Sequence, residues 1–207
     1  MKIIEPKHNQ SFDFIEDQTY TLYQTSYNLS FNKTMIILDE DTSQMDTIYF
    51  NQCQFDSVDF TKIHSLDIVF KGCDLSNCIF SDASLNRVHF KECRMIGATF
   101  TDLSLKHVQF TNCQMKMSQF VNCKLDHVLF KENQMTEMYI SFTSQKNVAI
   151  THCELQSLEV IETSFDQIDL STNEIESLMI QPNDLTGATV SEYQAIDILP
   201  LFGVKVT

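Results

Sequence analysis

Glycine and proline are scarce in this chain, with four and three residues among 207. No Gly/Ser-rich or Pro-rich stretch could serve as a linker, so the sequence predicts one domain rather than two joined bodies. Long apolar runs are also missing. None approaches the roughly 20 residues that a membrane helix needs, and the opening "MKIIEPKHNQ" lacks the apolar core of a signal peptide. A soluble, cytoplasmic protein with no membrane contact is expected. Positive charge is the third shortage. Fourteen Lys and Arg face 28 Asp and Glu, for a formal charge of −14. That is the reverse of a nucleic-acid binder's basic footprint, and it favours a cationic protein partner. Seven cysteines in a chain without an export signal predict free thiols in a reducing compartment.

What the sequence has in abundance is a period of five. Of the 29 positions from 50 to 190 whose number is a multiple of five, 27 are Phe, Leu, Met, Ile or Val. Neither the 3.6-residue period of a helix nor the 2-residue period of a strand produces this, so the pattern is an internal repeat. Two residues before each lies a second, mostly smaller set, such as Cys53, Val58, Ile63 and Ile68. The other positions are mainly polar.

Segments such as "CQFDS", "CDLSN", "ATFTD" and "CKLDH" follow an A/C-x-L/F-x-x pattern, and here the chain resembles the pentapeptide-repeat family. The resemblance implies an all-β fold, a right-handed quadrilateral β-helix with five residues per side and four sides per coil. Residues twenty apart then stack. Cys53, Cys73, Cys93 and Cys113 form one column, continued by Asn133, Cys153 and Asn173. Phe70, Phe90, Phe110 and Phe130 form another, opposite Phe60, Phe80, Phe100 and Phe120. Leu or Met fill the two remaining sides. The division expected is an irregular cap or slipped first coil over 1–45, the β-helix over 46–190, and a dimerisation segment over 191–207. Ser65 and Gln145 interrupt the apolar rule, which predicts local bulges, with Leu66 and Phe142 as candidates to rotate inward.

The C-terminus carries its own signals. Ser191 and Gln194 make a capping box, predicting a short α-helix from Ser191 to Leu199 that Pro200 ends. Tyr193, Ile196 and Leu199 share one face. The following "LFGVKV" reads as a short terminal strand. With Leu201, Phe202, Val204 and Val206, the segment has more apolar surface than one cap must bury, and a twofold dimer would hide it. The run "DLTGATV", then "YQA", then an apolar helix and "FGVKV", is similar to the C-terminal segment of the Qnr quinolone-resistance proteins. That likeness implies a head-to-head homodimer through the C-terminus.

Charge is distributed unevenly along the chain. Residues 1–60 carry 3 basic and 10 acidic side chains, net −7; residues 61–146 carry 10 and 8, net +2; residues 147–207 carry 1 and 10, net −9. Two C-terminal segments joined in a dimer would place about −18 along roughly 30 Å of rod, close to the charge density of duplex DNA. The expected partner-binding surface is Glu154, Glu159, Glu162, Asp166, Asp169, Glu174 and Glu176. The resemblance to Qnr and MfpA-type rods implies the partner, a type II topoisomerase, DNA gyrase or topoisomerase IV, whose DNA saddle the acidic rod would occupy. The unbroken register from Phe50 to Val190 makes the chain more like the loopless members. Two alternatives stand beside this reading: acidity serving solubility alone, and a generic repeat scaffold or self-immunity protein with another partner.

Enzymatic chemistry is not expected. There is no phosphate-cradling glycine loop, nucleophile elbow or paired-carboxylate cleft, and a convex shaft makes a poor active site. The cysteines read as small buried hydrophobes, because stacked thiols do not converge tetrahedrally as zinc requires. His107 and His127 stack outside, with Arg87 one coil before, and read as surface decoration. No cofactor or metal is called for.

Overall fold

The corners explain why the chain coils. In the computed structural model, which describes residues 1–7, 12–16 and 18–205, every fifth residue from Thr47 to Gln167 has a φ between 47° and 68°. Only Gly72 and Gly97 among these are glycines. A left-handed backbone costs an L-residue roughly 1–2 kcal/mol, yet Asp, Asn, Glu, His, Arg, Met and Phe all adopt it here. Many corner amides are used in return by the neighbouring coil. Gln52 N–H donates to the Lys71 carbonyl at 2.8 Å, Glu92 to Thr111 at 2.9 Å and Asn112 to Lys131 at 2.9 Å.

The strands are all parallel and stack into long ladders. One sheet has eight: β1 (Asp13–Ile15), β3 (Thr25–Asn32), β5 (Gln44–Asn51), β6 (His64–Lys71), β8 (Ser84–Lys91), β10 (Ser104–Thr111), β12 (Lys124–Lys131) and β14 (Ser144–Thr151). It bends through a corner and so supplies two of the four sides. A second has six: β7 (Ile79–Ser81), β9 (Thr99–Thr101), β11 (Gln119–Val121), β13 (Tyr139–Ser141), β15 (Glu159–Ile161) and β16 (Met179–Ile180). Single bridges from Gln54 through Asp74, Arg94, Gln114, Gln134 and Glu154 to Glu174 build the remaining side. The register is twenty residues, from Gln44↔His64 to Asp169↔Thr189. The first coils are shorter. Thr25 pairs with Gln44 and Asp13 with Leu29, while β2 (Thr19–Leu22) pairs with β4 (Met35–Leu38) as Thr19↔Met35.

Inside, the two phenylalanine columns meet at right angles. Phe50, Phe70, Phe90, Phe110 and Phe130 stack at 4.9–5.0 Å between ring centroids. Phe60, Phe80, Phe100 and Phe120 stack at 4.4–4.8 Å. Between columns the rings are edge-to-face, as for Phe100 and Phe110 at 5.9 Å. Strand spacing near 4.8 Å sets the stacking distance, and the quadrupole favours the edge contacts. Leu75, Met95, Met115, Met135 and Leu155 fill a third column, and Leu85, Leu105 and Leu125 the fourth, all buried.

The cysteines are buried and unpaired, and several thiols donate to carbonyls of a preceding coil, as Cys93 Sγ does to Phe70 O at 3.3 Å. Asn133 does the same work with a longer reach, accepting from Cys113 N–H at 2.8 Å and donating to Phe110 O at 2.9 Å. Burial pushes the Cys78 thiol up to about 12 and Cys123 up to about 11. Cys53, at the column's end, is instead held below its ordinary value, chiefly by its hydrogen bond with Cys73. A raised thiol contributes stability in full below the unfolded value of about 8.5 and loses it as pH climbs towards the folded value. Unfolding free energy should therefore fall between pH 8.5 and 10, and Cys78→Ala should flatten that slope by up to about 1.4 kcal/mol per pH unit. Urea denaturation at several pH values measures it.

Three expectations are corrected. Ser65 and Gln145 cause no bulge: Met45, Ser65 and Leu85 stay in register, as do Leu125 and Gln145. Breaking the ladder would orphan buried backbone groups, which costs more than one polar side chain in an apolar column. Leu66 and Phe142 do not turn inward. Leu66 pairs with Asp46 and Asn86 on the outer surface, and Phe142 holds a left-handed corner with 59% of its surface exposed. Gln145 reaches outward to donate to the Asp166 carbonyl at 2.9 Å, which leaves a cavity of about 20 Å³ beside Leu125, Ile140 and Phe165. Gln145→Leu should fill that cavity and raise stability by about 1 kcal/mol, roughly 2–4 °C in Tm by thermal denaturation.

The third correction concerns the tail. The α-helix, α1 (Glu192–Ile198), forms with Ser191 as N-cap and its capping box complete. Beyond it the described residues form no strand. Leu199–Phe202 make a 3-10 helix closed by Gly203 at φ 73°. Pro200 sits in its first turn, where a missing N–H costs nothing, so the apolar run tightens into a turn instead of extending. Gln194 anchors α1 across the end of the shaft, donating to Leu170 O at 2.9 Å and Asn173 O at 2.6 Å.

Candidate partner-binding surface

The acidic residues of the last coils encircle the shaft. Glu154 and Glu174 are bridge partners in adjacent coils, and Glu176 lies beside them on the same side. Glu159 stands in β15 on the next side, and Glu162 occupies the corner after it. Asp166 and Asp169 lie on the other two sides, Asp169 bridging Thr189. Three of the seven are thus brought together and four are spread around the rod. Five are exposed, with Glu154 and Glu159 half-buried. Gln156 Nε2 donates to Glu174 Oε2 at 3.2 Å. Hydrogen bonds from the Ser171 side chain and amide hold the Asp169 carboxyl below its ordinary value.

At the same end, α1 and the 3-10 turn present apolar side chains to solvent. Tyr193 is 87% exposed, and Ile196, Leu199, Phe202 and Val204 are exposed as well. Leu201 is half-buried against the core, and Val206 lies outside the described residues. Ile198 and Gln194 face inward, so one side of the short helix closes the core and the other is left bare.

The middle of the rod is polarised across its width, which linear counting concealed. The strands β6, β8, β10, β12 and β14 hold seven basic residues (Lys71, Arg87, Lys91, Lys106, Lys124, Lys131, Lys146) against Asp67 and Asp126, net +5. The rest of residues 61–146 holds Lys62, Arg94 and Lys116 against six acids, net −3. His64, His89, His107 and His127 lie on the basic face. The chain's first residues cross this face. Lys7 N–H donates to Asp67 Oδ1 at 2.9 Å, Glu5 lies 3.9 Å from His89, and Ile4 N–H approaches His107 Nδ1 at 3.5 Å. Val69 and Gln109, in outward positions, are buried there.

Asp67 and Arg87 form a two-point ion pair, with both contacts at 2.6 Å. Burial pushes the Asp67 carboxyl up, but the bonds from Arg87 and the Lys7 amide outweigh it and hold it below the usual range. The His107 and His127 rings lie 4.8 Å apart, tilted by 47°, and burial together with the neighbouring His127 lowers His107. The twenty-residue spacing of Asp67 and Arg87 was the available signal for their pairing. Nothing in the linear pattern marks the N-terminal crossing.

Among the described residues no three His, Cys, Asp or Glu side chains converge to hold a metal ion, and no helix is long and apolar enough to cross a membrane.

These coils, square in section and filled by stacked phenylalanines, define a right-handed quadrilateral β-helix, a scaffold whose working surface is its exterior. The chain belongs to the pentapeptide-repeat family: the family model described as a pentapeptide repeat region matches residues 43–120 and 84–160. Among solved structures it is similar to full-length QnrB1, a plasmid-mediated fluoroquinolone resistance protein, with a TM-score of 0.53 and 17% identity over 90% of this chain and 100% of that one. HetL, a pentapeptide repeat protein involved in heterocyst differentiation regulation from Nostoc sp. strain PCC 7120, aligns at TM-score 0.31 and 14% identity, over 90% of this chain and 88% of HetL. Rfr23 from the cyanobacterium Cyanothece 51142 aligns at 0.32 and 5%, over 67% and 91%. No curated protein matches the sequence. At 17% identity the likeness to QnrB1 is one of fold.

Proposed function

We propose that the chain is a non-enzymatic, cytoplasmic binding rod. Its C-terminal ends join in a homodimer, and the acidic centre so formed occupies the DNA saddle of a type II topoisomerase, DNA gyrase or topoisomerase IV. It thereby modulates the enzyme or protects it from quinolones. The observation that carries this reading is the coincidence, at one end of an uninterrupted rod, of an exposed apolar helix and coils ringed by acid. The basic face of the middle coils separates this acidic end from the acidic N-terminal coils. The fluoroquinolone resistance named for QnrB1 supports the choice of partner. A stiff, preorganised array of charge loses little freedom on binding.

The test is a gyrase supercoiling assay with and without a quinolone, titrating DNA as competitor. Inhibition or drug rescue at micromolar protein, relieved by added DNA, is expected; no effect at that concentration defeats the proposal. The positive face of the middle coils favours a second reading, a repeat scaffold or self-immunity protein with a different partner. Binding that ignores salt would support it, because charge mimicry must weaken as ionic strength rises.

A further inference from the structure

The six-stranded side loses its covering before the rod ends. Its ladder runs down to Asp59, which bridges Ile79, with Phe60 N–H donating to Ile79 O at 2.7 Å and Ile79 N–H to Val58 O at 3.1 Å. On the other edge of residues 58–62 no strand pairs among the described residues. In a regular coil, Asp39, twenty residues earlier, would supply the next rung. Instead the chain after β4 leaves that position: it stays tied to the preceding coil and rejoins the following one at Ser43, whose carbonyl accepts from His64 N–H at 2.9 Å. Asp39 N–H and Thr42 Oγ1 both donate to Leu22 O, at 2.9 and 2.8 Å, and Ser43 N–H donates to Gln24 O at 3.0 Å. The missing rung leaves an open groove of about 650 Å³.

Its lining has two characters. Met35, Ile37 and Val58 give an apolar floor, with Met35 40% and Ile37 45% exposed. Asp39, Glu40, Asp56 and Asp59 give an acidic rim, and among the described residues no Lys or Arg lines the groove. An exposed strand edge beside an apolar trough is the geometry of strand addition, in which main-chain bonds hold a peptide and alternate side chains are read by the surface. The rim selects the charge of what enters.

We propose that this groove is a docking site for an extended, lysine- or arginine-bearing segment of a partner protein, which adds the missing rung beside Asp59. Its apolar side chains lie on Met35, Ile37 and Val58, and its cationic ones meet the rim. The site is at the opposite end of the rod from the acidic C-terminal coils and does not rest on the topoisomerase reading.

The test uses the full chain and fluorescein-labelled, end-blocked KVKVKV, followed by fluorescence anisotropy and amide hydrogen exchange. The peptide should bind and slow exchange in residues 58–62, whereas EVEVEV should not bind. Replacing the central valine by proline, which removes a backbone donor, should abolish binding. Neutralising the rim with Glu40→Gln, Asp56→Asn and Asp59→Asn should weaken binding about tenfold or more. Asparagine keeps the oxygen that accepts from Thr61 N–H at Asp59, so the fold is retained. Glu154→Gln with Glu174→Gln, at the far end, should leave affinity unchanged. Failure of KVKVKV to bind, indifference to the proline or to the rim variant, equal weakening by the far-end variant, or unaltered exchange at 58–62 would each overturn the proposal.

Discussion

Phe100→Ala should lower the free energy of unfolding by about 3–5 kcal/mol, among the largest stability losses expected of any single truncation in this chain. Phe100 is fully buried and touches four other rings. It stacks on Phe80 at 4.8 Å and Phe120 at 4.4 Å, and it meets Phe90 and Phe110 edge-on at 6.5 and 5.9 Å. The cavity left cannot collapse, because the hydrogen-bonded ladder fixes the strand spacing above and below it. In a solenoid each coil is held by its two neighbours, so a weakened middle coil loosens both halves. Thermal denaturation followed by circular dichroism should show a fall of roughly 10 °C. Phe202→Ala should change monomer stability little, since that ring is exposed. Equal losses at the two positions would contradict the assignment of the core.

Ile196→Asp combined with Phe202→Asp should break the proposed dimer. Both side chains are exposed in the single chain, so the substitutions leave its core intact. Across a twofold axis each carboxylate would be buried near its own copy, in a segment already carrying Glu192 and Asp197. Loss of central apolar anchors and like-charge repulsion together should raise the dissociation constant by about a hundredfold or more. Light scattering should report twice 23.9 kDa for the parent chain and 23.9 kDa for the variant, with unchanged circular dichroism. The variant should also lose its effect on topoisomerase. A parent chain that scatters as a single 23.9 kDa species removes the dimer from the proposal.

The fold was legible because a solenoid turns linear period into spatial neighbourhood. With four sides per coil, as the family resemblance implies, Cys53, Cys73, Cys93 and Cys113 stack by their numbers, and so do the two phenylalanine columns. The capping box at Ser191 was legible for a similar reason, since it is a contact across three residues. Ser65, Gln145, Leu66 and Phe142 depart from what their side chains suggest because the backbone ladder holds their positions. The tail after Pro200 was misjudged because apolar content does not distinguish a strand from a 3-10 turn. The left-handed corners left no clear mark in the sequence, since they are occupied by residues as unlike as Arg87, Met117 and Phe142.

By itself the amino-acid order determined the five-residue period and the acidity of the two ends, because each depends on spacing or on composition within a segment; the square coil and its core columns followed once the resemblance to pentapeptide repeats supplied four sides per coil. Only the tertiary structure decided how charge is shared around the circumference. Asp74, Asp82, Glu92, Asp102, Glu132 and Glu137 interrupt the run from Lys71 to Lys146 along the chain but lie outside the strands that carry Lys71, Arg87, Lys91, Lys106, Lys124, Lys131 and Lys146, and the bend of each coil gathers those seven on one sheet. It alone decided, too, that the loop after Leu38 bonds backwards to Leu22 and Gln24, which uncovers the edge at Asp59. Which of two neighbouring coils a loop pairs with depends on competing hydrogen bonds between distant residues, and no repeat period encodes that choice.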